Sequence, residues 1–538
     1  MVDETEVAAA HARLAAKQLA QSAYGPALES LATALALAPR VADYWAQFSE
    51  LIQYFRFRHP ADPRLRELLA RALEHPAVDP GSLVNPIASI ALSRPAGGAL
   101  EDPLLLGLLE ATVVRDAALE SLIVAARRAA LQAVWHDPTL PLRTLAALAH
   151  QAFNTEYVYD ESDEERLRIE ALAASFDGTA QVPLHRYAVY ALYRPLGSLP
   201  EAERIAAALV QTPLASLARR QILEPLEERR LREGIASLGE AQNRVSAAVR
   251  EQYESNPYPR WLRAQSSFAA GTIAEIVREL FPHADAAGLP QGAARILVAG
   301  CGTGQNAIAT ARRFRDCRVL ALDLSLASLA YAKRKTLELG VRNIAYRQAD
   351  LLALGAFPGR FDLIECSGVL HHLEDPFEGW RILAALLAPH GLMRIGLYSE
   401  AGRRHVVRGR ELVAAQGFEP SAEGIRRCRA AIRSRADDAL LARIARSEDF
   451  FSLSGCRDLL FHVQEHRFTL PAVRDMLERL DLQFLGFELA DGGATALAYR
   501  SRFPDDPAAT SLANWDRFEQ GHPDTFARMY QFWARKAA

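Results

Sequence analysis

The spacing of apolar positions divides the chain in two. Up to about residue 245, apolar residues recur every three or four positions, as in "LESLIVAARRAALQAV", "PLRTLAALAHQAF", "LHRYAVYALY" and "RIAAALVQ". That is the period of helices with one buried face. No strand-like run occurs before residue 290, so residues 1–245 are expected to form an all-helical array. Beyond 290 the period changes. Short β-branched runs, "ARILVAG", "CRVLALD", "IAYRQAD", "FDLIECSG" and "GLMRIGLYS", alternate with helical stretches. Such alternation predicts a parallel sheet with helices on both faces. In "LQFLGFELADGGATALAYRS" two strand-like runs flank Asp491-Gly492-Gly493, a hairpin signal that would end the sheet in an antiparallel pair. An insertion over about 400–465 precedes "HRFTLPAVRDML", and a helical tail is expected over 505–538. On that tail Phe526, Met529, Tyr530 and Trp533 fall on one helical face.

A length of 538 residues exceeds what one core usually serves. The expected division is 1–245 and 246–538. Within the first part, residues 8–41 resemble a 34-residue helix-turn-helix unit of the tetratricopeptide kind. Leu14 and Ala15 stand where that pattern has Leu-Gly, Ala27 and Ala34 are its small contact residues, and Pro39 ends the second helix. Trp45 opens a second unit whose register fades by about residue 75; a generic helical bundle is the alternative. A lone repeat pair cannot bury its faces, so later helices are expected to stack on it.

Composition mainly excludes. A net charge of −3 carries no bias toward nucleic acid or membrane. Five scattered cysteines, odd in number and without metal spacing, read as reduced thiols rather than disulfides or zinc ligands. The N-terminus has acids where a signal peptide needs bases, and no run has the purity of a membrane span. The expectation is a cytoplasmic protein that engages neither membrane nor nucleic acid.

The chemistry concentrates after the first strand. "AGCGTGQN" places Gly300, Gly302 and Gly304 where backbone can approach a ligand at a helix N-terminus. Asp323 ends the second strand about 20 residues on, where an acid can hold ribose hydroxyls. Asp350 ends the third strand, and "FDLIECSGVLHHLEDP" supplies the fourth and its loop. Together these motifs resemble the class I S-adenosylmethionine-dependent methyltransferases, over about 246–400 and 468–503. The resemblance implies an α/β Rossmann-like domain, its seven-stranded sheet ending in an antiparallel hairpin, preceded here by an all-α tetratricopeptide-like array. It also implies roles. Gly300, Gly302 and Gly304 would pack on the methionine and ribose of S-adenosylmethionine. Asp323 would hold the ribose with Leu324 on the adenine, and Asp350 would meet the adenine amino group with Leu351 behind it. Cys366 and Ser367 would lie beneath the methyl donor. Val298 departs from the acid the family often carries before the glycine loop. The whole chain resembles bacterial tetratricopeptide–methyltransferase fusion proteins. A dinucleotide oxidoreductase is the competing reading of the loop, and its sheet would stay parallel.

"NPYPRW", residues 256–261, nearly spells the Asn-Pro-Pro-Tyr box of amino-group methyltransferases, but that box belongs after the fourth strand, where "CSGVLHH" stands instead. Two prolines stiffen the segment. It is either a lid, with Tyr253, Tyr258 and Trp261 excluding water and Arg260 pairing with the cofactor carboxylate, or an inter-domain buckle.

Methyl transfer needs a base only for a protonated nucleophile. His371, His372, Glu365 and Tyr258 are nearby candidates. His372 is preferred, with helix capping as the alternative role for both histidines. The arginines of the insertion (Arg403, Arg404, Arg408, Arg410, Arg426, Arg427, Arg429, Arg433) suit either an anionic acceptor, RNA included, or a solvated helix face. The aromatic tail packs on the core or walls the acceptor. Helical repeats commonly grip peptides, so a protein or peptide acceptor is expected. A small metabolite, or a non-catalytic cofactor-binding scaffold, is the alternative.

Overall fold

The computed structural model describes residues 3–59, 62–94, 96–136, 138, 140–176, 182–239, 241–264, 270–489 and 493–536. The chain forms two compact units. One comprises Met1–Pro225, Trp261–Ser267 and Ser447–Leu453; the other comprises Leu226–Arg260, Phe268–Arg446 and Ser454–Ala538. The division thus falls at 225/226, with short excursions in both directions later in the chain.

Among its described residues the regular elements of the first unit are all helices. Its opening helices, Glu4–Ala20 and Tyr24–Leu37, pair along a seam of Ala8, Ala12, Ala15, Ala27, Leu31 and Ala34, all buried. Alanine methyls let the two backbones approach closely, while Leu14 remains 44% exposed. The third helix, Ala42–Ile52, buries Trp45, whose indole N–H donates to the Pro39 carbonyl at 2.8 Å. The next begins only at Pro63, capped by Asp62.

The second unit is built on a seven-stranded sheet: β1 (Ala294–Ala299), β2 (Cys317–Asp323), β3 (Ile344–Gln348), β4 (Phe361–Ser367), β5 (Leu387–Leu397), β6 (Leu482–Phe487) and β7 (Tyr530–Lys536). The order is β3-β2-β1-β4-β5-β7-β6. Strands β1 to β5 pair in parallel, and β7 runs antiparallel to both β5 and β6. Alternate side chains feed two apolar layers. Leu297, Ile364, Met393 and Phe532 face one, around Trp380; Ile296, Val319, Leu363, Leu392 and Trp533 face the other. The chain reverses direction across the sheet between β1 and β4. A crevice opens outside the carboxyl ends of the strands at such a point.

Two sequence expectations are corrected. The sheet does end in an antiparallel pair, but its members are β6 and β7. The second run after Gly493 is a helix, Ala494–Arg502, and its alanines and arginines favour that state. Asp491 and Gly492 of the expected turn lie outside the described residues. The tail is likewise not helical to its end. After the helix Leu512–Gly521 the chain enters β7. Alternation decides the matter: Tyr530, Phe532 and Ala534 enter one core layer and Trp533 the other. The edge of β5 also gains a partner for its backbone groups. Four helices, Arg404–Gln416, Ala422–Arg433, Ala439–Ala445 and Leu453–Phe461, make up most of the 400–465 segment.

Candidate active site

A cavity of about 370 Å³ opens at the carboxyl ends of β1, β2 and β4. Gly300, Gly302, Asp323, Leu324, Asp350, Leu351 and Ser367 line it, as do Tyr253, Tyr258 and His372. Three expected site residues stand elsewhere. Cys366 is fully buried in the core layer, and burial pushes its thiol up to about 12. The Arg260 guanidinium lies 5.6 Å from the centroid of the Tyr331 ring, and Arg260 does not line the cavity. Gly304 also stays outside it. With φ at 85°, a Cβ on Gly304 would come within 2.5 Å of the Ala332 Cβ, so this glycine serves helix packing. Gly302 differs: its missing Cβ leaves room for the Tyr258 carbonyl, 3.0 Å from where that Cβ would sit.

The glycine loop is held from two sides. Asp323 Oδ2 accepts the Gly302 N–H at 2.7 Å, and Oδ1 accepts the Ser325 N–H at 2.9 Å. Burial raises the Asp323 carboxyl to about 6, opposed by these backbone donors. On the other side, the Thr303 hydroxyl donates to the Pro259 carbonyl, and the Arg457 guanidinium donates to Asn256. The Asn-Pro-Tyr-Pro stretch therefore rests on the loop, with Tyr258 and Pro259 facing the cavity. Trp261 is counted to the other unit.

The helix Arg244–Ser255 brings a residue that sequence reasoning missed. The Glu254 carboxylate accepts the N–H groups of Leu326 and Ala327 at 2.5 and 3.2 Å, at the start of the helix after β2. A carboxylate suits that N-terminus electrostatically. The adjacent Tyr253 carbonyl accepts the Ser325 hydroxyl at 3.1 Å. Asp350 caps the turn after β3 through Leu352 N–H and takes the Gln242 N–H at 2.8 Å.

At the far end the lining comes from distant parts of the chain. The Tyr253 hydroxyl donates to Asp458 at 2.7 Å and lies 3.2 Å from His462 Nε2. His372 stacks on His462 with ring centroids 3.6 Å apart. Burial lowers both imidazoles to about 3, which keeps them neutral; His372 is thus a weaker base than the sequence reading supposed. Tyr398 is sandwiched between His371, 3.8 Å away, and the Arg403 guanidinium, 3.7 Å away. Arg403 and Arg410 pair with Glu465, and Arg408 with Asp438. These three insertion arginines are thus engaged within the fold. Met529 covers Ser367, whose hydroxyl meets its sulfur at 3.4 Å. Asp458 and Tyr398 line the cavity, yet nothing in their local sequence marks them; Met529, which also lines it, belongs to the tail stripe expected to pack on the core or wall the acceptor.

The order of strands, the loop and the strand-end acids have the arrangement of the class I methyltransferase fold. Residues 296–391 match the Methyltransferase domain family. An uncharacterised protein of Synechococcus sp. is 33% identical over 42% of this chain and 56% of its own length. The ubiquinone biosynthesis O-methyltransferase of Azotobacter vinelandii is 38% identical over 18% of this chain and 41% of its own. The chain thus spans about half the length of these curated relatives. The structure titled PKMT2 from Rickettsia typhi in complex with AdoHcy overlaps 50% of this chain and 54% of its own at 15% identity, with a TM-score of 0.36, too slight a likeness to build on.

The cofactor of such a domain is S-adenosylmethionine, and the residues present fit it. The Gly300 and Gly302 backbone lines the cavity, Leu324 and Leu351 provide apolar walls, and the half-buried Asp323 carboxylate faces the cavity with a lone pair to spare.

Proposed function

We propose that the second unit binds S-adenosylmethionine and transfers its methyl group to an acceptor at the Tyr398–Asp458 end of the cavity. The observation that carries this reading is Asp323. It is a half-buried carboxylate on the cavity wall, raised to about 6 and positioned by the Gly302 and Ser325 N–H groups. Two ribose hydroxyls donating to it would favour its charged form. When bound, the sulfonium supplies an activated methyl group with a good leaving group. The protein's task is then to orient the reactants and exclude water. Tyr258 and Pro259 close one side, Met529 and Tyr398 another.

The acceptor we propose is a protein or peptide recruited by the helical unit, whose first helix pair has the small-residue seam expected of a tetratricopeptide start and whose third helix buries Trp45. A small-molecule acceptor is the second reading, favoured by the side chains of Tyr253, His372, Tyr398 and Met529 that hem in the far end. The proposed setting is the cytoplasm. All five cysteines are free and buried, and no helix among the described residues is long and apolar enough to cross a membrane. Incubating cell extract with the full chain and radiolabelled S-adenosylmethionine tests the reading. Label in the protein fraction supports the first acceptor class and label in the small-molecule fraction the second. No label in any fraction, with no cofactor bound, contradicts both.

A further inference from the structure

The far end of the cavity holds a set of side chains whose protonation the backbone dictates. The peptide of Gln464 meets two imidazoles. Its carbonyl lies 2.7 Å from His372 Nδ1, and its N–H donates to His462 Nδ1 at 3.2 Å. A carbonyl only accepts, so His372 carries its proton on Nδ1 and its Nε2 is a bare lone pair. An N–H only donates, so His462 carries its proton on Nε2, facing the Tyr253 hydroxyl at 3.2 Å. That hydroxyl in turn donates to Asp458 Oδ1. The chain of donors runs one way and ends on a carboxylate. Two acceptors then have no protein partner among the described residues: His372 Nε2 and Asp458 Oδ2. Both residues are buried against protein yet line the cavity.

A metal ion is one occupant to weigh. One ring nitrogen from each histidine and one Asp458 oxygen lie within 4.8 Å of one another. The stacking speaks against it. Two imidazoles bound to one ion at about 2.1 Å hold their centroids about 5 Å apart, whereas these lie at 3.6 Å. The His462 nitrogen nearest Tyr253 is also the protonated one.

We infer that this pair of acceptors is the subsite for the methyl acceptor's nucleophile. It suits a group that donates hydrogen bonds, an amine or a hydroxyl, held between His372 Nε2 and the Asp458 carboxylate. This inference rests on the proposed methyl transfer and deepens it. As the nucleophile's lone pair forms its bond to the methyl carbon, the carbon–sulfur bond breaks and its electron pair stays on sulfur. The nucleophile's proton passes to Asp458. Charge balances: the sulfonium becomes a neutral thioether and the carboxylate a carboxylic acid. Burial raises the Asp458 carboxyl above the ordinary range, which suits a base of this kind. Tyr253, His462 and the Gln464 peptide are positioning groups that aim Asp458 and His372.

Sinefungin tests this without knowledge of the acceptor. It is an S-adenosyl analogue whose ammonium stands where the methyl sulfonium would be, so it places N–H donors at the Asp458 end. With the full chain, calorimetry is expected to show sinefungin binding at least tenfold tighter than S-adenosylhomocysteine. Asp458→Asn is expected to reduce that preference to under threefold, leaving S-adenosylhomocysteine affinity within threefold of the unaltered protein. Tyr253→Phe removes the hydroxyl that aims Asp458 but leaves the carboxylate, and is expected to reduce the preference by less than Asp458→Asn does. S-adenosylhomocysteine binding without any sinefungin preference would overturn the inference while leaving methyl transfer standing. So would equal loss of both ligands in Asp458→Asn, or one-equivalent binding of Zn²⁺ or Mn²⁺ that Asp458→Asn abolishes. Failure of the unaltered chain to bind S-adenosylhomocysteine would instead overturn the proposed function itself.

Discussion

The two ends of the cavity are assembled in different ways. The Gly302–Asp323–Asp350 end is made of residues at or just after the ends of consecutive strands, each placed by its own strand. The Tyr253–His372–Asp458 end draws on a helix before the sheet, a loop after β4, and a helix more than 80 residues beyond that loop. Local backbone geometry dictates the first end; tertiary packing dictates the second. The first end is therefore fixed by the fold, whereas insertions of different length and sequence can rebuild the second.

Substitutions can break this comparison. The largest effect is expected from Gly304→Ala, whose Cβ would clash with Ala332 in a left-handed backbone conformation. It should destabilise the second unit by about 2–5 kcal/mol, read as a fall in the thermal midpoint. Asp323→Ala should leave the fold intact but weaken S-adenosylhomocysteine binding by about 1–3 kcal/mol, because ribose hydroxyls lose their acceptor. If Gly304→Ala cost affinity but no stability, the packing assigned to that glycine would be wrong.

Solution pH sharpens the same contrast. The folded Asp323 carboxyl sits at about 6, above its unfolded value. Unliganded protein therefore gains stability from this group at low pH and loses it as pH rises through about 6. Ligand hydroxyls favour the charged form, so affinity runs the other way and should fall about tenfold per pH unit below 6. Calorimetric titrations between pH 5 and 8 would show it, and a flat profile in the unaltered protein would remove Asp323 from the binding site. The smallest effect is expected at Arg260. Its guanidinium lies by Tyr331 and not in the cavity, so Arg260→Ala should change cofactor affinity by under about 0.5 kcal/mol. A tenfold loss would restore the carboxylate pairing that the sequence suggested.

Legibility in the sequence follows the same division. β1 to β5 and their strand-end acids were readable because period, glycines and spacing lie within short windows. The end of the sheet was misread at particular residues. "ATALAYRSR" has strand-like aromatic content but helix-favouring alanines. In Phe526–Trp533 a helical spacing masked the alternation of Tyr530, Phe532 and Ala534, which only the open edge of β5 makes decisive. The "NPYPRW" stretch showed its rigidity in its prolines, but its seat on Gly302 and Thr303 is a tertiary fact. Asp458 and His462 carry no local signal, since their meaning arises from Tyr253, about 200 residues earlier.

The most direct test of methyl-donor binding is calorimetric titration of the full chain with S-adenosylhomocysteine, with NAD in parallel. One equivalent of S-adenosylhomocysteine bound, weakened by Asp323→Ala, and no heat from NAD is the result expected. Binding of NAD with no response to S-adenosylhomocysteine would contradict the reading of this cavity as a methyl-donor site.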